Sequence, residues 1–219
     1  MDLFDILGPV MIGPSSSHTA GAARIGRAAR HLLGEEPVSA RIGLFGSFQK
    51  TYQGHGTDRA ILGGLLDMPV DDARLRASRE LAREAGLAYE FYPVRLKNAH
   101  PNSVLIDLKG ALGGSISVQA ASVGGGNIRI QYLDGLEVGF SGARTTLVIQ
   151  HKDEPGAIAH VSRLVAHDHL NIATMRVFRS EAGGRAVMAI ELDEKPSDEL
   201  MRLMRLLPLV ERVTLLDKL

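Results

Sequence analysis

The sequence contains no cysteine. That absence excludes disulfides and any iron–sulfur cluster held by thiolates of this chain. Tryptophan is missing as well and aromatics make up only 5% of the residues, which leaves little from which to build a base-stacking platform. No charge of one sign prevails: 25 Lys and Arg face 25 Asp and Glu. Phosphate contacts dominate nucleic-acid affinity and ordinarily leave a basic excess, so no nucleic-acid partner is expected. No apolar run reaches the roughly 20 residues that a membrane-spanning helix needs. Met1 to Leu7 carries acids where a secretory signal would carry a basic region. A cytoplasmic protein with no membrane partner is the expectation.

What is present is an ordinary globular composition, 45% hydrophobic over 219 residues, enough for one large domain or two modest ones. A short apolar strip, Leu3 to Ile12, runs into Gly13 Pro14 Ser15 Ser16 Ser17 His18 Thr19. From Thr19 to Leu33 the periodicity is helical: Ala22, Ala23, Ile25, Ala29, Leu32 and Leu33 form one stripe, Arg24, Arg27, Arg30 and His31 another face. Gly34 is placed as the stop. Ala20, Gly21, Ala22 and Ala23 are small enough to let this helix approach another backbone closely. Val38 to Phe48 reads as a strand and Gln49 to Thr57 as a polar loop. Thr57 or Asp58 then caps a short helix to Leu66. Asp71 or Asp72 opens a further helix ending near Gly86, with Ala73, Leu75, Leu81 and Ala85 as core positions. Five strands follow, Tyr89 to Leu96, Ser103 to Leu108, Ser115 to Ser122, Asn127 to Leu133 and Leu136 to Phe140, split by glycine-rich turns. Gly124 Gly125 Gly126 is a hairpin turn, since the phosphate-loop alternative lacks its Lys and Ser or Thr.

A boundary falls near Ser141 to Arg144, dividing the chain into domains 1–142 and 145–219. The second repeats strand, helix, strand, strand, helix, strand: Thr145 to His151, Ala157 to His167, Asn171 to Ser180, Arg185 to Asp193, Ser197 to Leu206 and Val210 to Leu216. That order is the ferredoxin-like plan, so the fold class is α+β, an α/β domain followed by a βαββαβ domain.

The Ser-rich loop carries the chemistry. A first helical turn leaves its N–H groups free at the positive end of the helix dipole, which suits a carboxylate or phosphate. Plain capping is the alternative, but capping needs one hydroxyl, and Ser15, Ser16, Ser17 and Thr19 supply four beside the His18 imidazole. His18 serves equally as a base, a hydrogen-bond partner or a metal ligand. His55, in Gly54 His55 Gly56, and His100, before Pro101 and Asn102, share its polar, loop-like setting. None of the three has the spacing of a zinc motif, so no metal site is assigned, although a three-histidine metalloenzyme stays open.

Gly8 to Ala22, with Gly54 His55 Gly56 Thr57 Asp58 and His100 Pro101 Asn102, resembles the motifs of the iron–sulfur L-serine dehydratases, in the family's order. Asp153 Glu154 Pro155 Gly156 and Asn171 Ile172 resemble an ACT domain. The family occurs as fused chains or as two subunits, and the cysteine-free composition and an end just beyond the ACT-like part match its separate beta subunit. The resemblance implies deamination of L-serine to pyruvate and ammonia, with a [4Fe–4S] cluster held by a cysteine-bearing alpha subunit acting as Lewis acid on the β-hydroxyl. It further implies that Ser15, Ser16, Ser17 and Thr19 hold the substrate carboxylate, that His18 orients serine or moves its proton, and that His55, His100 and Asn102 join the same cleft. Asp153, Pro155, Gly156, Asn171 and Ile172 would meet a small effector, and the ACT-like domain would pair two copies of the chain. A sensor that binds an amino acid or anion without turnover is the competing reading.

Overall fold

The structure, a computed structural model, describes residues 11–219. Residues 3–10 of the apolar strip and Gly8 to Val10 of the first motif lie outside the described residues. The chain divides into two compact units, Met1–Asp134 and Gly135–Leu219.

In the first unit a π-helical turn, Ser16–Gly21, leads directly into helix α1, Ala22–Leu33. Strand β1 (Pro37–Leu44) is followed by α2 (Gly46–His55), α3 (Thr57–Leu65), a 3-10 turn (Ala73–Ala77) and α4 (Ser78–Glu84). The strands after them are β2 (Ala88–Pro93), β3 (Ser103–Gly110), β4 (Ser115–Gly124) and β5 (Asn127–Leu133). With β1 they form one sheet in the order β2-β1-β3-β4-β5. β1 and β2 run parallel, as a pair joined by a helical crossover must, while β1–β3, β3–β4 and β4–β5 are antiparallel. Along β3 and β4 the buried side chains alternate, Val104, Ile106 and Leu108 beside Ile116, Val118 and Ala120. Alternation of this kind gives the sheet one apolar face, and α1, whose Ala22, Ala28, Ala29 and Leu32 are fully buried, packs against β3 and β4.

The small residues of α1 have the consequence expected of them, one turn further along. A Cβ on Gly26 would lie 2.3 Å from the Ile61 carbonyl oxygen, and one on Gly64 2.1 Å from that of Ala23. α1 and α3 therefore touch backbone to backbone.

The second unit opens with β6 (Leu136–Phe140) and continues with β7 (Thr145–Lys152), α5 (Ala157–His167), β8 (Ile172–Arg179), β9 (Arg185–Leu192), α6 (Asp198–Arg205) and β10 (Val210–Leu216). Its sheet order, β10-β7-β9-β8, is that of a ferredoxin-like domain. Leu147 and Ile149 of β7 and Met188 and Ile190 of β9 pack with Val161 and Val165 of α5 and Leu200 and Met204 of α6.

Three expectations are corrected. Residues 46–55 are a helix rather than the end of a strand and a polar loop. Gly46, at φ +60°, turns the chain out of β1, and a helix whose one fully buried apolar anchor is Phe48 has almost no periodic signature. Neither Thr57 nor Asp58 caps α3: the N-cap is Gly56, in the left-handed region, and the Asp58 carboxylate is turned to the Arg79 guanidinium. In the 71–86 segment Leu75 is buried as expected, but Ala73 and Ala85 are exposed, and Ala82 and Leu87 fill the core instead.

Candidate functional site

Ser15 is extended, and its hydroxyl oxygen accepts the backbone N–H of His18 at 3.1 Å, so one serine does act as the cap. The turn it opens is a π-helical one, wider than an α-turn and recurrent at functional sites. Thr19 is buried beneath it and donates its hydroxyl to the His55 carbonyl oxygen at 3.2 Å. That bond ties the first motif to the second.

The two histidines meet. The His18 and His55 rings stand edge to face with centroids 4.9 Å apart, and Phe48 closes on His18 at 5.3 Å. His18 Nε2 lies 3.1 Å from the Ser47 hydroxyl. Burial, and then the neighbouring His55, hold the His18 imidazole below its ordinary pKa, because both disfavour its charged form. His55 Nδ1 is buried without a hydrogen-bond partner among the described residues.

The third motif is joined through backbone. Ser47 N donates to the Pro101 carbonyl oxygen at 2.7 Å, Ser122 N to that of Asn102 at 3.0 Å. Asn102 N donates to His100 Nδ1 at 3.1 Å, so that nitrogen carries a lone pair and a neutral His100 keeps its proton on Nε2. The three loops flagged in the sequence are thus linked, His18 and His55 by direct ring contact and His100 by way of Ser47 and Pro101. Ser47 escaped the sequence reading because it was assigned to a strand end. The signal available was Gly46 before it, a turn residue directly after an apolar run.

A cavity of about 510 Å³ opens beside this cluster, its wall including Gly13, Thr19, His55, Gly56, Arg59 and Arg76. Neither arginine was marked as a site residue from the sequence.

Residues 1–91 match the family described as serine dehydratase beta chain, and residues 145–205 match the ACT domain. The chain is 42% identical to a probable L-serine dehydratase beta chain of Bacillus subtilis, over 97% of this chain and 96% of that protein. The chain belongs to the serine dehydratase beta-chain family. A second member, the L-serine dehydratase beta chain of Peptoniphilus asaccharolyticus, is 36% identical over 90% of this chain and 89% of its own. A D-3-phosphoglycerate dehydrogenase of Bacillus subtilis shares 27% identity over 73% of this chain but only 30% of its own length. The beta-chain match takes in the Ser15–Thr19 loop and His55 but stops short of His100 and Asn102.

The donor set of this family member does not suit an iron–sulfur cluster. It has no cysteine, and among the described residues no group of three or more His, Cys, Asp or Glu could hold a metal ion. The same fact leaves the three-histidine metalloenzyme without support. No helix among the described residues is long and apolar enough to cross a membrane.

In the ACT-matching unit the flagged effector residues are scattered. Asp153 accepts from Gly183 N and from Arg179, and those two bonds, the backbone one first, lower its carboxyl pKa. Asn171 donates to Asp193 at 2.7 Å, Ile172 packs against the core, and Gly156 caps α5 at φ +93°. Only Pro155 of the five lines the unit's cavity of about 400 Å³, beside His151, Glu154 and His160. His151 is buried, with Nδ1 2.7 Å from the Lys152 carbonyl oxygen.

Proposed function

We propose that this chain is the beta subunit of an L-serine dehydratase, which positions L-serine for deamination to pyruvate and ammonia. The observation that carries this reading is the His18–His55 pair, seated against the Ser-rich loop by the Thr19 bond to His55 and the Ser47 contact to His18. An imidazole kept neutral by burial is ready to take a proton, which is what loss of the serine α-hydrogen requires. Ser15, Ser16, Ser17 and Thr19 would hold the carboxylate end of the substrate. His55, His100 and Asn102 would complete the cleft. The [4Fe–4S] cluster would sit on a cysteine-bearing alpha subunit, since this chain has no ligands for it. Residues 1–142 would form the substrate domain. Residues 145–219 would form a regulatory domain that meets an effector near Asp153, Pro155, Gly156, Asn171 and Ile172 and pairs two copies of the chain. A cytoplasmic location goes with that role.

The test is anaerobic co-purification with an alpha chain and measurement of pyruvate released from L-serine. Deleting a hydrogen bond to a charged group costs about 1.5–3 kcal/mol, so Ser16→Ala and His18→Ala should each lower turnover at least about tenfold with the chain still folded. Near-normal turnover in both variants would sink the site assignment. Binding of L-serine without pyruvate release, in the presence of the alpha chain, would favour the sensor.

A further inference from the structure

Four arginines lie between residues 59 and 79, and the structure treats them in two ways. Arg74 is paired with Asp72 and Arg79 with Asp58, and neither lines the large cavity. Arg59 and Arg76 do line it, and no carboxylate among the described residues pairs with either. Among the described residues the cavity wall includes no Asp or Glu. Asp58, the acid next to Arg59 in sequence, is 2% exposed and committed to Arg79, so it neutralises nothing in the cavity. The first turn of α3, opened by Gly56 in the same wall, adds the positive end of its dipole. The described wall of this cavity thus sets two arginines, and no acid, beside Thr19 and His55.

We infer that Arg59 and Arg76 are the groups that recognise the substrate's carboxylate as a charge. The inference rests on the L-serine reading and deepens it. Hydroxyls of the Ser15–Thr19 loop can donate hydrogen bonds to a carboxylate or to an uncharged carboxamide alike. One of those donors is already engaged, Thr19 to the His55 carbonyl oxygen. A guanidinium distinguishes the two ligands, because it presents a planar fork of donors with a permanent charge. A carboxylate drawn to the arginine side of the cavity brings the rest of a small amino acid to the His55 edge, and His18 stands against His55. Both arginines are therefore positioning and specificity residues, distinct from the histidines that would handle the proton.

The experiment uses the full chain, alone and reconstituted with its alpha chain. By titration calorimetry the wild-type chain should bind L-serine, and L-serinamide, which lacks the negative charge, at least about tenfold more weakly. Arg59→Gln and Arg76→Gln should each weaken L-serine binding at least about tenfold and leave L-serinamide unchanged. Arg59→Lys, which keeps the charge and loses the fork, should fall between. In the reconstituted enzyme the Gln variants should raise KM by a similar factor and move kcat far less. Failure of the wild-type chain to bind L-serine, or equal binding by wild type and both Gln variants, overturns the inference. So does arginine-dependent binding of inorganic phosphate in place of L-serine. Failure of the L-serine dehydratase reading looks different: the reconstituted wild type releases no pyruvate, whatever the arginines do in calorimetry.

Discussion

Among the described residues, Met1–Asp134 holds eight of the nine buried side-chain nitrogen or oxygen atoms that lack a hydrogen-bond partner, and Gly135–Leu219 holds one, His151 Nε2. Several of the eight belong to the linked motifs or their neighbours: His55 Nδ1, Thr57 Oγ1, Asp58 Oδ1, Ser103 Oγ and Ser122 Oγ. An unsatisfied buried polar atom costs on the order of 1–3 kcal/mol, so such a concentration opposes stability. Of the residues just named only His55 lines the cavity of the first unit, where a ligand could meet it. Both units have apolar cores, with Ile25, Leu32, Ile42, Ile61 and Ile106 in the first and a cluster of Leu, Ile, Val and Met in the second, so the difference lies in how fully the buried polar atoms are satisfied. The contrast teaches that the first unit carries in its interior a polar cost that the second largely avoids.

The comparison breaks if the two units do not stand on separate cores. Met204 is fully buried in the second, and Met204→Ala should cost about 2–5 kcal/mol through lost contacts and the void left behind. Native-state hydrogen exchange should register that loss at the amides of Ile149 and Met188 and leave those of Ile25 and Ile106 unmoved. Equal losses in both sets would merge the units into one. A smaller effect is expected for Gly64→Ala, about 1–3 kcal/mol and confined to the first unit, because its methyl group would press on the Ala23 carbonyl and the Arg27 nitrogen. Alanine is favoured over glycine in a helix by about 1 kcal/mol, so an exposed site would show the opposite sign. A stabilised variant would mean that α1 and α3 have room between them.

How much of this was legible in the sequence differs between the units for the same physical reason. In the second unit β7 and β9 are short, almost continuously buried runs between turn residues, Val161 and Val165 repeat along a helix, and the βαββαβ order from β7 to β10 could be read off. In the first unit the Ser-rich loop was legible as the start of a helical segment, and Ser15 supplies the hydroxyl that caps it. The Gly34 stop was legible too, and its left-handed conformation is found at the end of α1. The helix 46–55 was not, since it packs mainly through Phe48 and turns Ser47 and His55 toward polar partners. Arg59 and Arg76 were invisible for another reason. An unpaired arginine and a paired one are spelled alike, and only the fold shows that Asp58 faces Arg79 instead of Arg59.

The smallest effect sharpens the comparison at its centre. A histidine whose charged form is disfavoured in the folded chain has its pKa below the ordinary 6.5 of the free side chain. Between those two values the unfolded chain binds more protons than the folded one, so stability increases with pH across that window and is lost as pH falls through it. The same depression keeps His18 available as a base under mildly acidic conditions. The acid limb of kcat/KM for L-serine should accordingly lie below 6.5 in the reconstituted enzyme. Burial is the larger cause and the charge of His55 the smaller. His55→Gln removes only the second, so the limb should move upward but stop short of the free value. An unmoved limb would assign the whole effect to burial, and a wild-type limb above 6.5 would mean that His18 is held charged, by a neighbouring anion the polar first unit must then supply.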